Sequence, residues 1–251
     1  MRFAWHAFLY IPYLRMILQV DGMCKEEILP ALIVVLMFAI AFYAYPLVQA
    51  DENGMIITHW GIDGIPNGWA DRTVGVFLVP IVTLIIYLGL LLIPFIEVYR
   101  KNLDEFRQQF WGFKVILVFV MGVIYIATLI PNLGYWNGFD PIIIVVPAIA
   151  LLFFYVGYML NFTKRNFFIG VRTPWTLADE KVWDKTNKLA GRLFWICGAL
   201  ALVSLVTTGD ARLAFIVLPA VLTAIIASLY SLYEYKKTKR VQKERKGKRR
   251  K

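Results

Sequence analysis

His59 stands between Asp63 and Asp71 in the segment QADENGMIITHWGIDGIPNGWADR, residues 49–72. An imidazole and two carboxylates are the donor types of a metal site, but their spacing matches no strong zinc pattern. The segment therefore reads as a solvated polar loop that meets a ligand through hydrogen bonds and aromatic contact, with no metal and no cofactor expected. Its candidate ligand-facing residues are His59, Trp60, Asp63, Pro66, Asn67 and Trp69. A second patterned segment, NFTKRNFFIGVRTPWTLADEKVWDKTNKLAGRLFW, spans residues 161–195 and contributes Gly170, Arg172, Thr173, Pro174, Trp175, Thr176, Trp183, Thr186 and Gly191. A guanidinium fixed at Arg172 can bind lipid phosphate or cap a neighbouring helix, and capping is the stronger reading. No P-loop, HExxH, nucleophile elbow or paired-carboxylate motif occurs, so no catalytic residue is assigned and the chain is not expected to be an enzyme.

The elements that position these two segments are set by long runs without charge. Residues 28–50, 73–96, 115–139, 141–163, 193–209 and 213–233 contain no Asp, Glu, Lys or Arg. Their lengths suit helices crossing a hydrocarbon core roughly 30 Å thick. With 59% hydrophobic residues and a mean hydropathy of +0.62, the chain lies well outside soluble composition. Lipid leaves only helices or a closed barrel, and runs without period-2 alternation exclude the barrel. The fold class expected is all-α: a polytopic membrane protein with six transmembrane helices.

Charge sets the orientation. Of 27 Lys and Arg residues, 25 fall on the N-terminal region, the second and fourth connectors and the tail, against Arg72 and Arg212 on the alternate side. Basic residues are retained on the cytoplasmic side, so both termini are expected there. The 49–72 loop then faces outward and the 161–195 connector inward.

Four regions follow. Residues 1–27 form an N-terminal extension with two open readings, an interfacial helix or a start codon assigned ahead of Met23. Residues 28–96 form a first helical hairpin carrying the outer loop, made compact by the turn formers Asp63-Gly64 and Pro66-Asn67-Gly68. Trp60 and Trp69 are expected at the membrane interface. Residues 97–233 form a four-helix region with an amphipathic inner connector, 164–192. There Thr176 and Asp179 read as a capping pair for a helix that lies on the inner leaflet and turns into the fifth span at Gly191. Residues 234–251 form a polybasic tail, expected to be disordered and to touch anionic lipid of the bilayer. Without interleaved aromatics the tail is not expected to bind nucleic acid directly.

GVRTPWTL, with Trp183, Thr186 and Gly191 after it, resembles the signature region of the SdpI family of bacterial and archaeal membrane proteins. Thr58-His59-Trp60, then Gly64, Pro66 and Gly68-Trp69, is similar to the small domain of unknown function that often precedes it. Asn67 and Asn187 depart from the family pattern, where an acid and a histidine are common. The resemblance implies a plasma-membrane, multi-pass protein giving immunity to, or sensing, a secreted membrane-active peptide toxin, with a cytoplasmic transcriptional repressor as partner. The alternative is a neutral-solute transporter or channel, its path lined by residues such as Thr128, Asn161, Ser204 and Thr223. The charge count carries a direct test: a glycan-acceptor tag inserted beside Asn53 is modified and one after Lys251 is not. The reverse result inverts the topology.

Overall fold

The greasy runs become helices because lipid offers no partner for a free N–H or C=O, and each helix bonds its own. The computed structural model describes residues 20–61, 63–135 and 140–248, with side chains from residue 26 to 241 within those limits. The expectation for the first residues of the chain falls largely outside the described part.

Helix α1 runs Val20–Ala44 and is followed by strands β1, Met55–Trp60, and β2, Pro66–Asp71. Next come α2, Arg72–Ile96, the short α3, Arg100–Glu105, and α4, Arg107–Ile130, prolonged by a π-helical turn at Pro131–Tyr135. Helix α5 is Ile142–Met159, and α6 is the single turn Pro174–Ala178. Helix α7, Glu180–Val203, ends in a 3-10 turn, and α8 is Gly209–Lys248. Among the described residues six helices are long and apolar enough to cross a membrane. Their large side chains, such as Leu32, Val35, Ile85 and Leu229, are exposed because lipid covers them. The protein is a predominantly helical, multi-pass membrane protein.

The helices pack as two groups. α1, α2 and α4 contact one another, α5 packs on α4 and on α7, and α8 leans on α7. The second group closes at a backbone contact. A Cβ added to Gly157 of α5 would lie 2.7 Å from the Gly191 carbonyl of α7, and one on Gly191 equally close to the Gly157 carbonyl. Small residues let membrane helices approach this closely.

Three expectations change. The outer loop is not merely compact: it is an antiparallel β-hairpin, pairing Met55 with Asp71, Ile56 with Ala70 and Ile57 with Trp69. Hydrophobic periodicity over so short a stretch does not announce strands. The inner connector starts differently too. Thr173, not Thr176, caps α6, and Thr176 is its reciprocal partner. Asp179 caps α7 instead, accepting from Lys181 and Val182 N–H. Gly191 makes no turn; it lies inside α7 at the crossing just described. The tail continues α8 through Lys248 rather than losing structure. Lys, Arg, Glu and Gln are strong helix formers, and no Pro or Gly interrupts them before Gly247.

The hairpin is held by a membrane helix. Ile56 enters the cluster of Met37, Ala41, Val76, Tyr125 and Leu129 between α1, α2 and α4. Asn132, buried at the end of α4, accepts from Ile57 N–H at 2.8 Å and donates to Ile57 C=O at 2.7 Å. Asn132→Ala would leave both groups of Ile57 unpaired, at a cost of about 1–3 kcal/mol. Hydrogen exchange at the Ile57 amide should accelerate in that variant while the amides in the middle of α4 stay protected. Unchanged exchange at Ile57 removes the clamp from the account.

Candidate functional site

The outer site is built on the hairpin's solvent face. Pairing sends alternate side chains to opposite faces, and His59, Asn67 and Trp69 are exposed while Ile56 is buried. His59 Nδ1 and Asn67 Oδ1 share a short hydrogen bond across the two strands. Asp63 turns inward on its own loop, accepting from Ile65 N–H at 3.1 Å. Pro66 starts β2, and Trp60 is only half-buried at the end of β1. The structure thus brings His59 and Asn67 together, leaves Trp69 exposed opposite Ile57, and sets Asp63 at the tip. No group of three or more His, Cys, Asp or Glu among the described residues has metal-site geometry. At the hairpin's end Asp71 caps α2, and the Thr73 N–H holds its carboxyl below its usual range. A depressed carboxylate stabilises the fold above its unfolded value. That contribution fades as pH falls through the lowered value.

The hairpin tip touches a second charge system. A Cβ on Gly64, whose φ is +79°, would lie 2.9 Å from Asp140 Oδ1. Asp140 Oδ2 in turn accepts from Arg212 Nη1 at 3.0 Å, with side-chain exposures of 24% and 11%. Arg212 stands in the first turn of α8. Sequence reading treated it only as a topology charge, although Asp140 and Arg212 are two of the few charges between outer span ends.

At the opposite end the family-like segment is a scaffold more than a surface. Thr173 Oγ1 lies 2.9 Å from Ser231 Oγ on α8, and Lys185 Nζ lies 2.6 Å from the Glu234 carboxylate, also on α8. Trp183 is buried and donates from Nε1 to the Thr163 carbonyl at 2.9 Å. Asn187, the residue that departs from histidine, accepts from Val171 N–H and donates to the Trp183 carbonyl. An amide does both jobs without a proton to lose, so this position holds the loop in an uncharged state. Thr186 is fully buried with no hydrogen-bond partner among the described residues, whereas Arg172 and Pro174 are exposed and Trp175 half-buried. Arg172 donates to the Phe167 carbonyl within its own connector and does not cap a neighbouring helix, contrary to the expectation for it.

Sequence reading missed two carboxylates at this end, Glu97 buried and Glu27 half-buried. Glu97 accepts from Tyr99 and Phe167 N–H, tying the second connector to the fourth. Glu27 pairs with Lys114, which is 4% exposed and lies two turns inside α4. The signal was there: Glu27 and Lys114 each sit one residue before a charge-free run. Of the uncharged polar residues proposed to line a solute path, Thr223 meets Cys197 Sγ of α7 at 3.3 Å and the others bond to their own helices. Thr128 donates to the Ile124 carbonyl, Asn161 to that of Gly157 and Ser204 to that of Ala201.

Fold and site together define a multi-pass membrane protein with a clamped β-hairpin on one side and a capped, tryptophan-anchored connector on the other. Residues 163–231 match the SdpI/YfhL protein family, and residues 32–84 match a domain of unknown function, DUF1648. Over 213 residues, 85% of this chain and 97% of the relative, the sequence is 25% identical to the immunity protein SdpI of Bacillus subtilis (strain 168). The chain is thus similar to SdpI/YfhL proteins over its fifth and sixth spans, with a DUF1648-like region ahead of that segment. No solved structure matches.

The Asp140–Arg212 pair is open to a double-mutant cycle. With Asp140→Asn, Arg212→Gln and the double variant melted in the same detergent, a coupling of about 1–3 kcal/mol is expected, between exposed and buried ion pairs. Simple additivity of the two single effects would show that the pair does not join α8 to the hairpin side.

Proposed function

We propose that this protein gives immunity to, or senses, a membrane-active peptide toxin at the outer face of the plasma membrane, and relays that contact to a cytoplasmic partner. The observation that carries the reading is the placement of α8. Its outer end pairs with Asp140, against which the hairpin tip rests, and its inner end bonds Thr173 and Lys185 of the family segment. One helix is therefore linked to both candidate surfaces, to the outer one through Asp140. A ligand shifts such an element only by binding its two arrangements unequally, and here the ligand's contacts would be made by His59, Asn67 and Trp69. Trp60, Asp63 and Pro66 shape that face.

On the cytoplasmic side the roles divide by burial. Thr173, Thr176, Trp183, Thr186 and Gly191 fix the connector, together with the turn at Gly170. Arg172, Pro174 and Trp175 are the members left to meet a partner, for which a transcriptional repressor is the occupant the family resemblance favours. The matched relative is named an immunity protein, which supports the toxin side of the reading.

The test uses a strain lacking the gene, challenged with a panel of membrane-active peptides. Wild-type protein should restore survival against at least one peptide. The His59→Ala, Trp69→Ala pair should lower that protection at least tenfold with the protein still present in the membrane. Arg172→Ala should keep protection and lose capture of a cytoplasmic partner. Unchanged sensitivity to every peptide, together with solute uptake by reconstituted protein, would replace this reading with transport.

A further inference from the structure

A chamber of about 270 Å³ lies at the inner ends of α1, α2 and α4, where α3 closes over it. Leu91, Pro94 and Phe95 form an apolar wall, and Phe95 is exposed to the lipid side. The rest of the lining mixes Leu103, Phe110 and Trp111 with charged groups. It carries Arg100, Arg107 and Lys114 against Glu26, Glu27 and Asp104. A wider vestibule of about 680 Å³ adjoins it and shares Glu26, Asp104, Arg107 and Trp111.

The deepest charges are fixed. Glu27 holds the Lys114 ammonium and accepts from the Tyr87 hydroxyl at 3.1 Å; the same hydroxyl lies 3.2 Å from the Glu27 carbonyl. Lys114 also rests over the Phe110 ring, 5.2 Å from its centre. Ionised groups at this depth are expensive and mark sites rather than mere packing, because apolar residues of the same volume would stabilise the bundle as well or better. Nearer the mouth, Arg107 pairs with Glu26 at 2.9 Å.

We propose that this chamber binds one phospholipid of the inner leaflet through a zwitterionic headgroup bearing a primary ammonium, the phosphoethanolamine type. The chamber sits at the headgroup level, with an apolar wall along which acyl chains can run. Its lining carries three cations and three carboxylates, two of each already paired as Glu27–Lys114 and Glu26–Arg107, so a ligand with both charges and no net charge keeps it neutral, while a purely anionic headgroup adds an unbalanced charge. The cations and carboxylates both line the cavity, so Arg100 can take the phosphate and Asp104 the ammonium, beside the Arg107–Glu26 pair at the mouth. A trimethylated ammonium has no N–H for those carboxylates and loses the charge-assisted hydrogen bonds. This site is independent of the toxin reading.

The full chain, purified in mild detergent and exchanged into nanodiscs of phosphatidylethanolamine, phosphatidylcholine or phosphatidylglycerol, provides the test. Native mass spectrometry should find one phosphatidylethanolamine retained per chain, preferred at least tenfold over each of the other two in competition. Arg100→Gln with Asp104→Asn, which leaves the deep Glu27–Lys114–Tyr87 group intact, should abolish the preference with unchanged helical content. Replacing Lys114 by Met gives a second arm: if it folds, retention should fall. Equal retention of the three lipids, a preference for phosphatidylglycerol, no retained lipid, or an unaltered preference in the double variant would each overturn the proposal.

Discussion

A polar group inside hydrocarbon has no water to turn to, and this constraint orders the whole molecule. Each spanning segment bonds its own backbone, and its hydroxyls and amides mostly follow suit, as Thr83, Thr128 and Ser204 do within their own helices. Charges collect where the helices leave the bilayer. There they pair with one another, Asp140 with Arg212 outside, Glu27 with Lys114 and Glu234 with Lys185 inside. The tertiary contacts that matter for function are therefore concentrated in two polar layers, separated by a slab held together by shape.

Shape explains how two helical groups share one chain. The Gly157–Gly191 crossing brings α5 and α7 close without a hydrophobic drive, since lipid is as apolar as the side chains it would displace. Helix α8 meets α7 where Ala190 and Ala227 are fully buried and shows much of its remaining surface to lipid. Its firmest attachments are polar and terminal. A helix fastened at its ends and lightly packed along its length suits movement, which is why it carries the proposed relay.

The hairpin illustrates how a soluble-type element survives on a membrane protein. Two strands alone are marginal. Here Ile56 is sunk among α1, α2 and α4, and Asn132 bonds the Ile57 backbone as a neighbouring strand would. The exposed face is thereby released from structural duty and can keep His59, Asn67 and Trp69 facing outward.

The chain's residues alone determined the six spans and the two segments on which function is argued, and set the orientation expected from charge, because hydropathy and charge are local properties that lipid reads directly. The turn residues Asp63-Gly64 and Pro66-Asn67-Gly68 announced a reversal, though not the strands beside it. Only the tertiary structure decided that Thr173 rather than Thr176 opens the short helix and that Gly191 is a crossing rather than a bend. It alone showed that Asp140 meets Arg212 across 72 positions and Glu27 meets Lys114 across 87. Those pairings join residues far apart in the chain. Each charge seen alone has the same look as a topology signal, and its partner is chosen by how the helices pack.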